Sequence, residues 1–133
     1  MKLIATETEE HLSFMEWAST QKEIRDVIIH IANERKCSWK QGQLLKRMGV
    51  RKGVSDFFIP IPAGQYHGLW IELKRANAAY STVTNAQIDW VNKMTDQGYW
   101  AQVAFGWEQA RKLVILYLDH ERFFKHNEGE IKC

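Results

Sequence analysis

Two short apolar runs, Phe57–Ile61 and Leu69–Leu73, flank Pro62-Ala63-Gly64-Gln65, and this stretch constrains the fold more than any other. Turn residues between two β-prone runs predict a hairpin. Folded about Gly64-Gln65, its partner positions sum to roughly 129, which sets Asp56 opposite Glu72 or Lys74. Glu72 and Lys74 share a strand face because side chains alternate with period two. Two carboxylates and an ammonium therefore gather at one end of an otherwise apolar hairpin. Three charges beside a core are costly unless they pair or hold a metal.

The rest of the chain supplies a frame for that hairpin. Residues 7–18 read as a helix with Leu12, Phe14, Met15 and Trp17-Ala18 on an apolar side, capped by Thr6 or Thr8. Residues 26–32 are β-branched and short, which predicts a strand. Ser38 caps a helix over 39–48, ended by Gly49. The hairpin strands follow at about 56–61 and 68–74. A helix over 84–97 carries Ile88, Val91 and Met94 at helical spacing and stops at Gly98. A strand over 99–105 and a helix over 107–118 complete the order αβαββαβα. A hairpin followed by a helical crossover implies an α/β fold, a mixed sheet with helices on its faces. The 133 residues suit one domain, 1–133, with 119–133 as a polar C-terminal extension.

Composition narrows the class. The chain is 45% hydrophobic, which suits a packed globule, and no apolar run approaches the ~18 residues of a membrane span. Acidic Thr6-Glu7-Thr8-Glu9-Glu10 follows the first residues, so no signal-peptide pattern forms. Cys37 and Cys133 lack metal-site spacing, which points to free thiols in a reducing intracellular compartment. The net charge is only +2, yet Arg35, Lys36, Lys40, Lys46, Arg47, Arg51 and Lys52 crowd residues 34–53 against the single acid Glu34. Such a block suits a polyanion; the plainer alternative is a solvated basic face. Trp39, Trp70, Trp100 and Trp107 are read as core or interface residues rather than base-stacking platforms.

Asp56 and Glu72 have the chemistry of a hard divalent site, which takes one or two carboxylates plus further oxygens. The Leu73 carbonyl supplies such an oxygen, and a bound ion would activate water and offset charge on a phosphate. Lys74, on the Glu72 face, would steady that charge. The alternative is an ion pair at the sheet edge, which contributes about 0–1 kcal/mol when exposed. Gly49-Val50-Arg51-Lys52-Gly53-Val54-Ser55 leads into Asp56, with glycines where backbone turns tightly or approaches a ligand.

Asp56, Glu72-Leu73-Lys74 and a glutamate on a preceding helix resemble the PD-(D/E)xK nuclease pattern. More narrowly, the chain resembles a stand-alone VRR-NUC (virus-type replication-repair nuclease) domain from about Glu7 to Leu118. The carriers are Gly49 to Asp56, Tyr66 to Lys74, Gln87 with Trp90, and Gly98-Tyr99 leading to Gly106-Trp107-Glu108-Gln109-Ala110. One departure is Ser55, where the pattern usually has proline; serine keeps an extended backbone at some loss of rigidity.

The resemblance implies a restriction-endonuclease-like core and a catalytic set of Glu7, Asp56, Glu72, Lys74 and Gln87. Glu7, Asp56, Glu72 and the Leu73 carbonyl would hold Mg²⁺ or Mn²⁺, with Glu10 the rival to Glu7. Gln87 would orient water or phosphate, although Thr84-x-x-Gln87 is also capping-box spacing. Asn33, Lys36, Gln43, Lys46, Arg47, Arg51 and Lys52 suit phosphate contacts. The implied activity is structure-selective cutting of branched DNA by a homodimer, as in Holliday junction resolvases, leaving a 3′-hydroxyl and a 5′-phosphate. The rivals are a flap- or single-strand-directed repair nuclease and a catalytically idle DNA-binding module.

Overall fold

The computed structural model describes residues 4–32 and 37–131, with side chains up to residue 120. Its elements run α1 (Glu7–Ala18), β1 (Ile29–His30), α2 (Trp39–Arg47), β2 (Phe57–Ile59), β3 (Leu69–Lys74), a 3-10 turn (Ala78–Tyr80), α3 (Asn85–Asp96), β4 (Trp100–Phe105) and α4 (Trp107–Ile131). The four strands form one mixed sheet in the order β1-β2-β3-β4. β1, β2 and β3 are antiparallel neighbours, and β3 and β4 are parallel because α3 carries the chain across between them.

The hairpin forms with a correction to its register. Gly64-Gln65 makes the tight turn, Ala63 and Tyr66 exchanging backbone hydrogen bonds. The ladder beyond pairs Ile59 with Leu69 and Phe57 with Ile71, so the first arm holds one residue more than the second. Pro60 and Pro62 lie in that extra length, and neither has an N–H to give a ladder. The offset carries Asp56 opposite Glu72, and a one-residue slip would have put Leu73 there instead.

Alternation along β3 sorts the sheet into two faces. Leu69, Ile71 and Leu73 pack with Phe14 and Ala18 of α1 and with Ala110, Val114 and Tyr117 of α4. The other face carries Trp70, stacked on Phe58 and meeting Trp90 of α3 edge-on. Phe14 meets Phe57 edge-to-face at 4.9 Å, a geometry that adds about 0.5–1.5 kcal/mol beyond burial. The buried Tyr117 hydroxyl donates to the Ile61 carbonyl at 2.6 Å and ties α4 to the hairpin arm.

Several expected elements differ in extent. The strand expected over 26–32 shrinks to Ile29–His30, because residues 22–27 turn back on themselves to bury Ile24. Leu12 and Ile88, assigned to apolar faces, are exposed, and α2 buries no residue. The last helix continues past Leu118 to Ile131. No helix among the described residues is long and apolar enough to cross a membrane.

Candidate active site

The site sits where the β2–β3 ladder stops. Although β4 pairs with Leu73 on one side, β2 begins at Phe57, so on the other side Leu73 has no strand backbone opposite it. Its N–H donates instead to Asp56 Oδ2 at 2.8 Å, and its carbonyl oxygen lies 3.2 Å from His11 Nε2. Asp56, Glu72 and Lys74 are all buried, at 4%, 1% and 6% exposure. Lys74 Nζ stands 3.6 Å from Glu72 Oε1, and Gln87 Nε2 donates to the same oxygen at 2.9 Å.

Gln87 closes the capping box that its spacing allowed, and its side chain also reaches Glu72. Its backbone N–H donates to Thr84 Oγ1 and its side-chain oxygen accepts the Thr84 N–H, closing a capping box on α3. A backbone N–H can only donate, so that contact fixes the amide oxygen on Thr84 and turns the NH₂ group toward Glu72. The glycine-rich approach serves the same junction. Gly53 has φ +81°, and a Cβ there would come within 2.4 Å of the Ala86 carbonyl group. The close approach is to the start of α3 rather than to a ligand. It brings Lys52 and Val54 beside Gln87, where with Asp56, Glu72 and Thr84 they line a cleft of about 270 Å³. Ser55, in the place where proline was expected, is fully buried and its hydroxyl meets no partner among the described residues.

The three glutamates that open α1 separate by task. Glu9 reaches back to the Thr6 N–H in a capping box. Glu10 is buried and accepts from the Ala76 N–H at 2.8 Å and the Trp107 N–H at 3.4 Å, pinning α1 to the ends of β3 and β4. Glu7 alone faces the site, with Oε1 3.9 Å from His11 Nε2. The open choice between Glu7 and Glu10 thus narrows, because the Glu10 carboxylate is occupied by backbone donors.

His11 was not singled out from the sequence. It lies one helical turn after Glu7, and its Nε2 is also 3.6 Å from Asp56 Oδ2. Glu7, His11 and Asp56 offer ligand atoms that all lie within 4.8 Å of one another. The signal available was the Glu7–His11 spacing of four, which puts both side chains on one helix face.

The electrostatics ask for a cation. The Glu72 carboxyl is pushed up to about 8 from 4.5 by burial first and by Asp56 second, and Lys74 offsets this only in part. Glu72 Oε2 is buried with no hydrogen-bond donor among the described residues. A buried carboxylate oxygen with no donor, beside a second carboxylate and the Leu73 carbonyl, fits a hard divalent ion.

Of the expected phosphate-contacting residues, Gln43, Lys46, Arg51 and Lys52 line a second groove of about 1140 Å³, and Lys52 also borders the smaller cleft beside Asp56 and Glu72. Arg47 is exposed on α2 outside that lining. Asn33 and Lys36 lie outside the described residues. Trp70, Trp100 and Trp107 pack against neighbours as expected, but Trp39 is 77% exposed, which takes it out of this chain's core.

A sequence model of the family described as "VRR-NUC domain" matches residues 2–107. A solved structure described as "VRR_NUC domain protein" is similar, with 31% identity, a TM-score of 0.78, and coverage of 90% of this chain and 93% of that one. No curated protein matches the chain.

Proposed function

The chain belongs to the VRR-NUC domain family, and from that premise we propose that it is a divalent-metal-dependent endonuclease that cuts branched DNA. Membership implies a nuclease of the PD-(D/E)xK type. The observation that carries the proposal to named residues is the pairing of buried Asp56 with buried Glu72 at the open end of the ladder.

Glu7, His11, Asp56, Glu72 and the Leu73 carbonyl would hold Mg²⁺ or Mn²⁺, and the imidazole tilts the set toward a transition ion such as Mn²⁺. When bound, the ion supplies Lewis-acid stabilisation of charge and a lowered water pKa. The chain's own groups do the rest. Lys74, buried beside Glu72, places a positive charge where the phosphate accumulates negative charge. Gln87 holds the Glu72 carboxylate in one orientation. Lys46, Arg51 and Lys52 bind the DNA backbone without reading sequence. The product ends are a 3′-hydroxyl and a 5′-phosphate. A homodimer would present two such sites to the strands of a junction.

The test is a cleavage panel with Mg²⁺ or Mn²⁺ on a four-way junction, a flap, linear duplex and single strand. Preferential cutting of the junction is expected. Preferential cutting of the flap or single strand would replace the branched-DNA assignment with a repair nuclease. No cutting of any substrate would leave a DNA-binding module.

A further inference from the structure

Trp39 occupies an unusual place for a large indole. It is 77% exposed on the first turn of α2, just after the Ser38 cap, and its ring borders the 1140 Å³ groove. Lys46, Arg51 and Lys52 border the same groove, and all three are exposed. That volume exceeds the roughly 300–1,000 Å³ of an ordinary small-molecule pocket, so it can accept more than one nucleotide. The groove adjoins the active-site cleft, because Lys52 and Ala86 line both.

We propose that this groove is a single-strand binding site, in which unpaired nucleotides leading to the scissile phosphate stack a base on Trp39 while Lys46, Arg51 and Lys52 follow the phosphates. The proposal rests on the nuclease assignment for its direction along the strand. The pairing of an exposed aromatic face with a basic track is what non-specific single-strand binding requires. A base inside an intact duplex has both faces covered by its neighbours, so an indole offers it nothing to stack on. The occupant is therefore an unpaired segment, such as the arm of a flap or the opened centre of a branch point. Stacking here costs the protein little, since Trp39 packs into no core and α2 buries no residue.

The experiment measures binding of fluorescent oligo-dT and of a linear duplex in EDTA, by anisotropy, for the wild type, Trp39→Ala and Trp39→Phe. A base–aromatic contact of about 1–3 kcal/mol corresponds to roughly a 5- to 150-fold affinity loss for Trp39→Ala on oligo-dT. The ratio of single-strand to duplex affinity should fall with it, and Trp39→Phe should recover most of the loss. Unchanged oligo-dT affinity, or an equal loss on duplex, would overturn the proposal. So would conversion of a dimer to a monomer by Trp39→Ala in sedimentation, which would make the α2 face a contact between copies. The nuclease assignment fails separately, if the wild type cuts nothing with Mn²⁺ while Trp39 still governs oligo-dT binding.

Discussion

Gln87 donates to Glu72 Oε1 at 2.9 Å while its own side-chain oxygen is held by the Thr84 backbone. The start of α3 and the orientation of a buried carboxylate are thereby set by one side chain. Gln87→Ala should lower divalent-metal affinity about 10- to 100-fold, the usual effect of removing a group that orients a ligand. Thr84→Ala should cost about 1 kcal/mol of stability through the lost cap but leave metal affinity closer to wild type. Calorimetric metal titration of both variants separates the two roles; equal affinities would show that the glutamine only caps the helix.

Glu7 and Glu10 should respond differently to removal. Glu10→Ala removes the acceptor from two part-buried hydrogen bonds, those of the Ala76 and Trp107 N–H groups, and should destabilise the fold by about 1–2 kcal/mol. Glu7→Ala, half-exposed at the start of α1, should change the melting temperature little but weaken metal binding. Thermal melts with and without Mn²⁺ check this. A Glu7→Ala protein with the full Mn²⁺-induced rise would remove Glu7 from the site.

His11→Ala should reduce affinity for Mn²⁺ more than for Mg²⁺, because Mg²⁺ favours oxygen ligands and imidazole suits transition ions. Competition titrations of the two ions against the variant provide the measurement. Equal losses would place the imidazole outside the coordination sphere.

The raised Glu72 carboxyl gives metal binding a pH dependence. Folded and metal-free, the group keeps its proton to about pH 8, whereas the unfolded chain loses it near 4.5. The folded state thus binds more protons across that window, and this contribution to stability is full below 4.5 and lost as pH rises through 8. Metal requires the carboxylate, so its affinity should climb about tenfold per pH unit up to roughly pH 8. Melting temperatures against pH, with and without Mn²⁺, should show the two curves diverging as pH rises. A metal-induced shift that stays constant between about pH 5 and 8 would contradict a proton released at Glu72.

Much of the architecture was legible because periodicity and punctuation agreed. Thr6 and Ser38 cap their helices, Gly98 stops α3, and the hairpin closes at Gly64-Gln65. The one-residue offset in the hairpin was not legible, since it depends on how the chain accommodates Pro60 and Pro62 on the way to the ladder. The facing of Asp56 and Glu72 could be read only to within that offset. His11 was harder to read because an i, i+4 Glu–His pair is ordinary on a helix face, and tertiary folding alone brings it to Asp56. Trp39 does not join the core, because hydrophobicity argues for burial only in general, whereas α2 buries no residue and leaves this tryptophan exposed.

The most direct test of the account is Asp56→Asn on a four-way junction, with cleavage measured in Mn²⁺ and binding measured in EDTA. Asp56 anchors Leu73 and faces Glu72, so losing its charge should lower cleavage at least ~100-fold while junction affinity stays within about threefold. Cleavage by Asp56→Asn at the wild-type rate would contradict the assignment of this site as the catalytic centre.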